Sequence, residues 1–167
     1  MSRKIGNCHI CQKETELTYE HIPPYKAFNW ESAKSIEGDE IMKLITDDIR
    51  MPWDMERLKY KSKQRGMGMY SLCNNCNNIT GAYYGTEYIK FAYTIDKLFP
   101  EIIEKCKKNH TNITEIEIKG MKPLLFAKQV LSMFCSTCPN ITKKDEHIKD
   151  LLLNKDVTDL DPKKYKL

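Results

Sequence analysis

The feature that most constrains this chain is a pair of Cys-x-x-Cys motifs, Cys8-His9-Ile10-Cys11 and Cys73-Asn74-Asn75-Cys76, held apart by a long insert. Two short knuckles of this spacing can set four thiolates tetrahedrally around one Zn²⁺, and a structural site of that kind has every coordination position filled. The N-terminal segment must then close onto a distant part of the chain through a metal. Seven cysteines is an odd number, and in a reducing compartment the knuckle spacing favours zinc over disulfides. Of the remaining three, Cys106 reads as a small apolar residue. Cys135 and Cys138, a third Cys-x-x-Cys pair at the end of an apolar helix, read as core filling.

Zinc held by four cysteines supplies folding energy, on the order of 10 kcal/mol, and does not activate water. Reactive groups must therefore lie elsewhere. Residues 7–22 read as a knuckle, a polar turn, and a short strand Leu17-Thr18-Tyr19 that delivers Glu20 and His21 at its end, where Pro23-Pro24 stops it. The aromatic run Tyr25 to Trp30 reads as local core rather than as a stacking surface. Residues 31–65 form an insert, acidic at first, with a short helix expected around Ile41 to Ile45. Its last part reverses sign: Arg57, Lys59, Lys61, Lys63 and Arg65 occupy alternate positions, so an extended chain lines them along one face. Such a row is either a solvated edge strand or a stripe that tracks phosphates.

After the turn Gly66-Met67-Gly68, a strand over Tyr70 to Leu72 leads into the second knuckle. Tyr84, Tyr88, Phe91, Ile95 and Leu98 recur at helical spacing and predict a helix from Gly81 to Phe99, interrupted by Pro100, with a second helical piece from Glu101 to Lys108. A strand is expected over Asn112 to Lys119, then a largely buried helix from Leu124 to Cys138 with Pro123 in its first turn. The last expected helix is amphipathic, with Thr142 as its N-cap and Ile148, Leu151 and Leu152 facing inward. With 167 residues the chain suffices for a metal-stapled core, residues 1–100, and a helical extension, residues 101–167. The N-terminus lacks the apolar stretch of a secretory signal, and no run is long enough to span a bilayer, so a cytosolic protein is expected. The net charge of +4 hints only mildly at a polyanionic partner.

The motifs Glu20-His21-Ile22-Pro23-Pro24 and Cys73-Asn74-Asn75-Cys76-Asn77-Asn78, with Lys122-Pro123-Leu124 and Lys128-Gln129-Val130 further on, resemble a poorly characterised bacterial group of HNH (ββα-metal) endonuclease-like proteins. The resemblance implies an α+β fold in which a zinc-stabilised ββα-metal core carries a mainly helical C-terminal extension. It further implies a catalytic divalent ion, Mg²⁺ or Mn²⁺, bound by Glu20 and Asn77, with His21 as general base on water; Asn74 or Asn78 can stand in for Asn77. The family usually has an Asn before the second knuckle that orients the histidine. Here Gly66-Met67-Gly68 occupies that place, so only a backbone carbonyl is expected to support His21. The expected activity is one-metal hydrolysis of DNA phosphodiesters. The alternatives are a catalytically degenerate module that binds nucleic acid or protein, and a structural zinc protein whose basic row binds RNA.

Overall fold

The computed structural model describes residues 3–47, 59–109 and 117–159. Its elements in chain order are β1 (Ile5–Asn7), β2 (Glu14–His21), β3 (Ala33–Ser35), α1 (Gly38–Asp47), β4 (Lys61–Lys63), β5 (Gly68–Cys73), α2 (Asn74–Tyr83), α3 (Gly85–Asn109), α4 (Pro123–Thr137), α5 (Ile141–Lys144) and α6 (Glu146–Leu153). It is a mixed α and β fold with two small sheets, ordered β1-β2-β5 and β3-β4, all antiparallel. The longer pairing, β2 with β5, runs from Leu17 opposite Cys73 to His21 opposite Gly68, with an irregularity between Thr18 and Tyr19 that leaves Ser71 as the extra residue. The strand ends at His21 because Pro23 and Pro24 follow, the Ile22–Pro23 bond being cis.

Helix α2 starts directly on the second knuckle. Cys73 is its N-cap, and its Sγ accepts the Cys76 amide at 3.4 Å, so a sulfur satisfies one of the first-turn donors. The single helix expected from Gly81 to Phe99 is instead two. The break falls at Tyr84, a fully buried residue whose hydroxyl donates to the Leu152 carbonyl, and packing of this ring against α6 decides the direction of the chain there. Pro100 does not interrupt α3, which continues to Asn109. The missing amide loses one helical hydrogen bond, and the exposed flank of a long helix tolerates that loss with a bend.

In α4 the buried face is unexpectedly polar: Lys128, Gln129, Ser132, Cys135 and Ser136 are buried, whereas Phe134 is 58% exposed. Lys128 explains part of this, because its Nζ donates to the Asn154 carbonyl at the end of α6 and lies 5.2 Å from the centre of the Tyr84 ring. Thr142 is not an N-cap. The last helical stretch is divided, Asp145 caps α6 through the His147 amide, and Thr142 Oγ1 donates to the His9 carbonyl. His9 itself is half-buried and its Nδ1 meets the Ser136 carbonyl at 2.7 Å, while Gln12 Nε2 reaches Pro139 O and Thr142 Oγ1. The first knuckle is thus sealed by the C-terminal helices, and one core joins Cys8, Ile10, Leu72, Cys73 and Cys76 to Cys135, Ile148 and Leu152.

The aromatic run after β2 is a second correction. Ala27 and Asn29 are buried, but Tyr25, Phe28 and Trp30 are exposed, so this segment is not local core. Of the strand expected over Asn112 to Lys119, residues 117–119 have no strand pairing and the rest lies outside the described residues. No helix among the described residues is long and apolar enough to cross a membrane.

Candidate metal centre and adjoining cavity

The Sγ atoms of Cys8, Cys11, Cys73 and Cys76 lie within 4.8 Å of one another, and those of Cys11 and Cys73 are 3.9 Å apart. A tetrahedral zinc with bonds of about 2.3 Å needs sulfurs separated by about 3.8 Å, so the four cysteines can hold a structural metal such as zinc with little adjustment. The protonation pattern agrees. The hydrogen bond from the Cys76 thiol, helped by backbone amides, draws Cys8 down to about 4 against the effect of burial. The same hydrogen bond and burial push Cys76 far up, and burial raises Cys11. Without a cation the cluster stabilises a thiolate with its neighbours' protons; a divalent ion replaces those protons and lets every ligand ionise. Cys135 packs against the same core, and burial pushes its thiol up to about 12, so it is a protonated core residue; Cys138, expected to fill core beside it, is instead exposed at the C-cap of α4.

Across β2 from this centre is a cavity of about 250 Å³ whose lining includes Glu20, His21, Asn77, Gly81, Gly85 and Gln129. Three residues that the sequence singled out, Glu20, His21 and Asn77, therefore meet in one space. Glu20 is 7% exposed, burial pushes its carboxyl up to about 7, and among the described residues no donor or cation touches it. A carboxylate in that state favours a cation. Asn77 Nδ2 donates to Thr18 Oγ1 at 3.0 Å, and Thr18 in turn donates to the Leu72 carbonyl, an orientation that keeps the Asn77 carbonyl oxygen free. His21 Nε2 donates to the Arg65 carbonyl at 3.1 Å, which leaves Nδ1 as the unprotonated nitrogen, and its ring is held edge-on between Tyr19 and Tyr25.

The carbonyl that meets His21 is that of Arg65, one residue before the Gly66-Met67-Gly68 turn where a supporting carbonyl was expected, and an asparagine holds the loop from an unexpected place. Asn29 is buried and its amide donates to the Pro23 and Met67 carbonyls while its Oδ1 accepts the Met67 amide at 2.6 Å, so one side chain straps the end of β2 to the turn before β5. The turn fits only because residue 66 is glycine: its φ is +76°, and a Cβ there would lie 2.0 Å from the Asn29 carbonyl oxygen. Gln129 is the other residue that sequence reasoning missed. It is 1% exposed, it lines the cavity, and its Oε1 is buried without a hydrogen-bond partner. In the sequence it stood only within Lys128-Gln129-Val130, part of the resemblance and of a helix expected to be buried, with no role attached.

The basic row is only partly extended. Lys61 and Lys63 occupy β4, Lys61 pairs with Glu37, Lys59 and Arg65 flank the strand, and Arg57 lies outside the described residues. No protein-family model, no curated protein and no solved structure matches the chain.

Proposed function

We propose that the chain is a metal-dependent endonuclease of the ββα-metal type, hydrolysing phosphodiester bonds of DNA with His21 as general base and with Glu20 and Asn77 as ligands of a divalent ion. The observation that carries this reading is that all three residues line one cavity, with the His21 ring fixed by the Arg65 carbonyl, the Asn77 amide fixed by Thr18, and the buried Glu20 carboxyl left without a partner among the described residues. The β2-β5-α2 succession, with four cysteines at its base, supports the ββα-metal assignment. The donor set fits a hard ion: one carboxylate, one amide oxygen, and room for the waters that Mg²⁺ retains. When bound, Mg²⁺ or Mn²⁺ neutralises charge on the phosphate and on the leaving oxygen. His21 Nδ1 takes the proton of the attacking water as its oxygen bonds to phosphorus and the bond to the leaving oxygen breaks. Anchoring Nε2 on Arg65 fixes the tautomer this step needs. The exposed cations Lys59, Lys61 and Arg65 and the half-buried Lys63 supply attraction for a polyanion, with Arg65 attached through its own backbone to the base.

The absence of an orienting asparagine at Gly66-Met67-Gly68 favours the rival reading, a degenerate module that binds nucleic acid or a protein without cutting. Cleavage of supercoiled plasmid with Mg²⁺ or Mn²⁺ separates the two, comparing wild type with His21→Ala after both are shown to carry one zinc per chain. Nicking or linearisation by the wild type, lost in the variant, is the expected result. Absence of cutting by a zinc-loaded wild type under either ion rejects the nuclease reading.

A further inference from the structure

From the cavity outward runs a chain of aromatic rings. Tyr70 meets Tyr19, Tyr19 meets His21, His21 meets Tyr25, Tyr25 meets Trp30, Trp30 meets Phe28, and Phe28 meets Tyr93 of α3, with successive centroids 4.7 to 6.4 Å apart. Tyr25, Phe28, Trp30, Tyr70 and Tyr93 are each between 39% and 50% exposed. Single aromatic residues exposed to this degree are ordinary, but five joined in one chain of ring contacts form a contiguous apolar patch, which is the informative observation. Phe28 is the sharpest case, because its φ of +62° is also unfavourable for a bulky residue, by roughly 1–3 kcal/mol. Its ring packs against Trp30 and Tyr93 and still leaves 39% of the residue open, and a ligand that stacks on the track would cover that part.

We infer that this aromatic track is a stacking platform for the unpaired bases of single-stranded nucleic acid, which it delivers to His21. This rests on the nuclease reading for its catalytic end only. The π-face of a base is the chemistry that a row of exposed rings recognises, and it is accessible only when the base is unpaired. The charge around the track matches a phosphate backbone: Lys26 lies within the run, Lys34 follows it on β3, and Lys63 and Arg65 flank it on the neighbouring chain, against the Glu31 carboxylate. That neighbouring chain is tied to the track itself, since the Gly66 amide donates to the Glu31 carbonyl and the Arg65 carbonyl holds His21. A strand lying on the rings would therefore meet cations along its backbone and the candidate base at its end.

Binding of the zinc-loaded chain to fluorescein-labelled oligo-dT, to oligo-rU and to a hairpin duplex of similar length, followed by anisotropy without added divalent ion, tests the inference. Single strands are expected to bind at least about tenfold more tightly than the hairpin, and Phe28→Gly and Trp30→Ala are each expected to weaken single-strand binding about tenfold, the usual consequence of losing one stacking partner. Glycine at 28 relieves the left-handed conformation, and a thermal unfolding midpoint and zinc content equal to wild type in each variant separate lost stacking from lost fold. The comparison of oligo-dT with oligo-rU tells which sugar the site accepts. Equal affinity for duplex and single strand, or no change in either variant, overturns the inference, as does capture of a protein ligand by these rings without any binding of oligonucleotide. Cleavage of a single-stranded oligonucleotide that depends on His21 but not on Phe28 or Trp30 leaves the nuclease reading intact and removes this one; binding that depends on the rings without any cleavage does the reverse.

Discussion

Glu20 offers the most direct test of whether the cavity is built for a cation. Its carboxyl is buried among groups that do not neutralise it, and burial moves it from 4.5 to about 7. The unfolded chain releases this proton near 4.5 and the folded chain near 7, so stability falls as pH rises between those values and levels off above them. The full displacement corresponds to about 3 kcal/mol, of which about 2 kcal/mol develops between pH 5.5 and pH 8. Glu20→Gln keeps the shape and removes the titration. In urea unfolding of zinc-loaded protein without added Mg²⁺ or Mn²⁺, the variant's stability advantage over wild type is therefore expected to grow by about 2 kcal/mol from pH 5.5 to pH 8. Millimolar Mn²⁺ at pH 8 is expected to restore much of that difference to the wild type alone, because only the carboxylate can recruit the ion. A stability gap that does not change with pH, or an equal response of both proteins to Mn²⁺, refutes the reasoning.

Three other outcomes follow from the same geometry. Asn29→Ala breaks the strap between Pro23 and Met67; calorimetry should show a loss of about 2–4 kcal/mol, since buried backbone groups are left unpaired, and plasmid cleavage should drop while zinc content holds. Stripping the four-cysteine site with a chelator, or Cys73→Ala, removes both a ligand and the cap of α2; near-ultraviolet circular dichroism should show loss of tertiary structure, whereas Cys106→Ala leaves one metal per chain. Gln129→Met removes a buried oxygen that has no partner; it should leave thermal stability unchanged or raised by about 1 kcal/mol, and any accompanying loss of Mn²⁺ affinity by titration calorimetry assigns the amide to the cavity's function.

The metal centre was legible because a knuckle is local: the spacing of Cys8 with Cys11 and of Cys73 with Cys76 carries the geometry. Glu20 and His21 were legible as the end of a strand stopped by prolines, and Asn77 as the residue after a ligand. What anchors them was not. Thr18 reaches Asn77 across 59 positions and Asn29 reaches Met67 across 38, and neither partner is marked by any pattern in sequence. The aromatic run failed differently. Composition registers how apolar a segment is, not whether a turn holding Phe28 at φ +62° turns it toward solvent. In α4 the apolar letters suggested burial on most sides and named no inner face, whereas Lys128 is drawn inward by the carbonyl end of a helix that lies later in the chain and Phe134 stays exposed.

The seal over the first knuckle has a temporal side. His9 and Gln12 bond to residues 127 to 130 positions later, and Thr142 returns to His9 across 133. Contacts of such sequence separation close late, since they carry the largest loop-closure entropy. On the ribosome the four thiols can gather once residue 76 has emerged, but the N-terminal knuckle stays uncovered until α5 has been synthesised. A metal held by the four thiols would therefore be accessible and exchangeable in the nascent chain until that seal forms. Arrest of translation before and after residue 142, with zinc release followed by a colorimetric chelator, should show fast exchange giving way to slow; equal rates on either side would show that the late seal does not guard the ion.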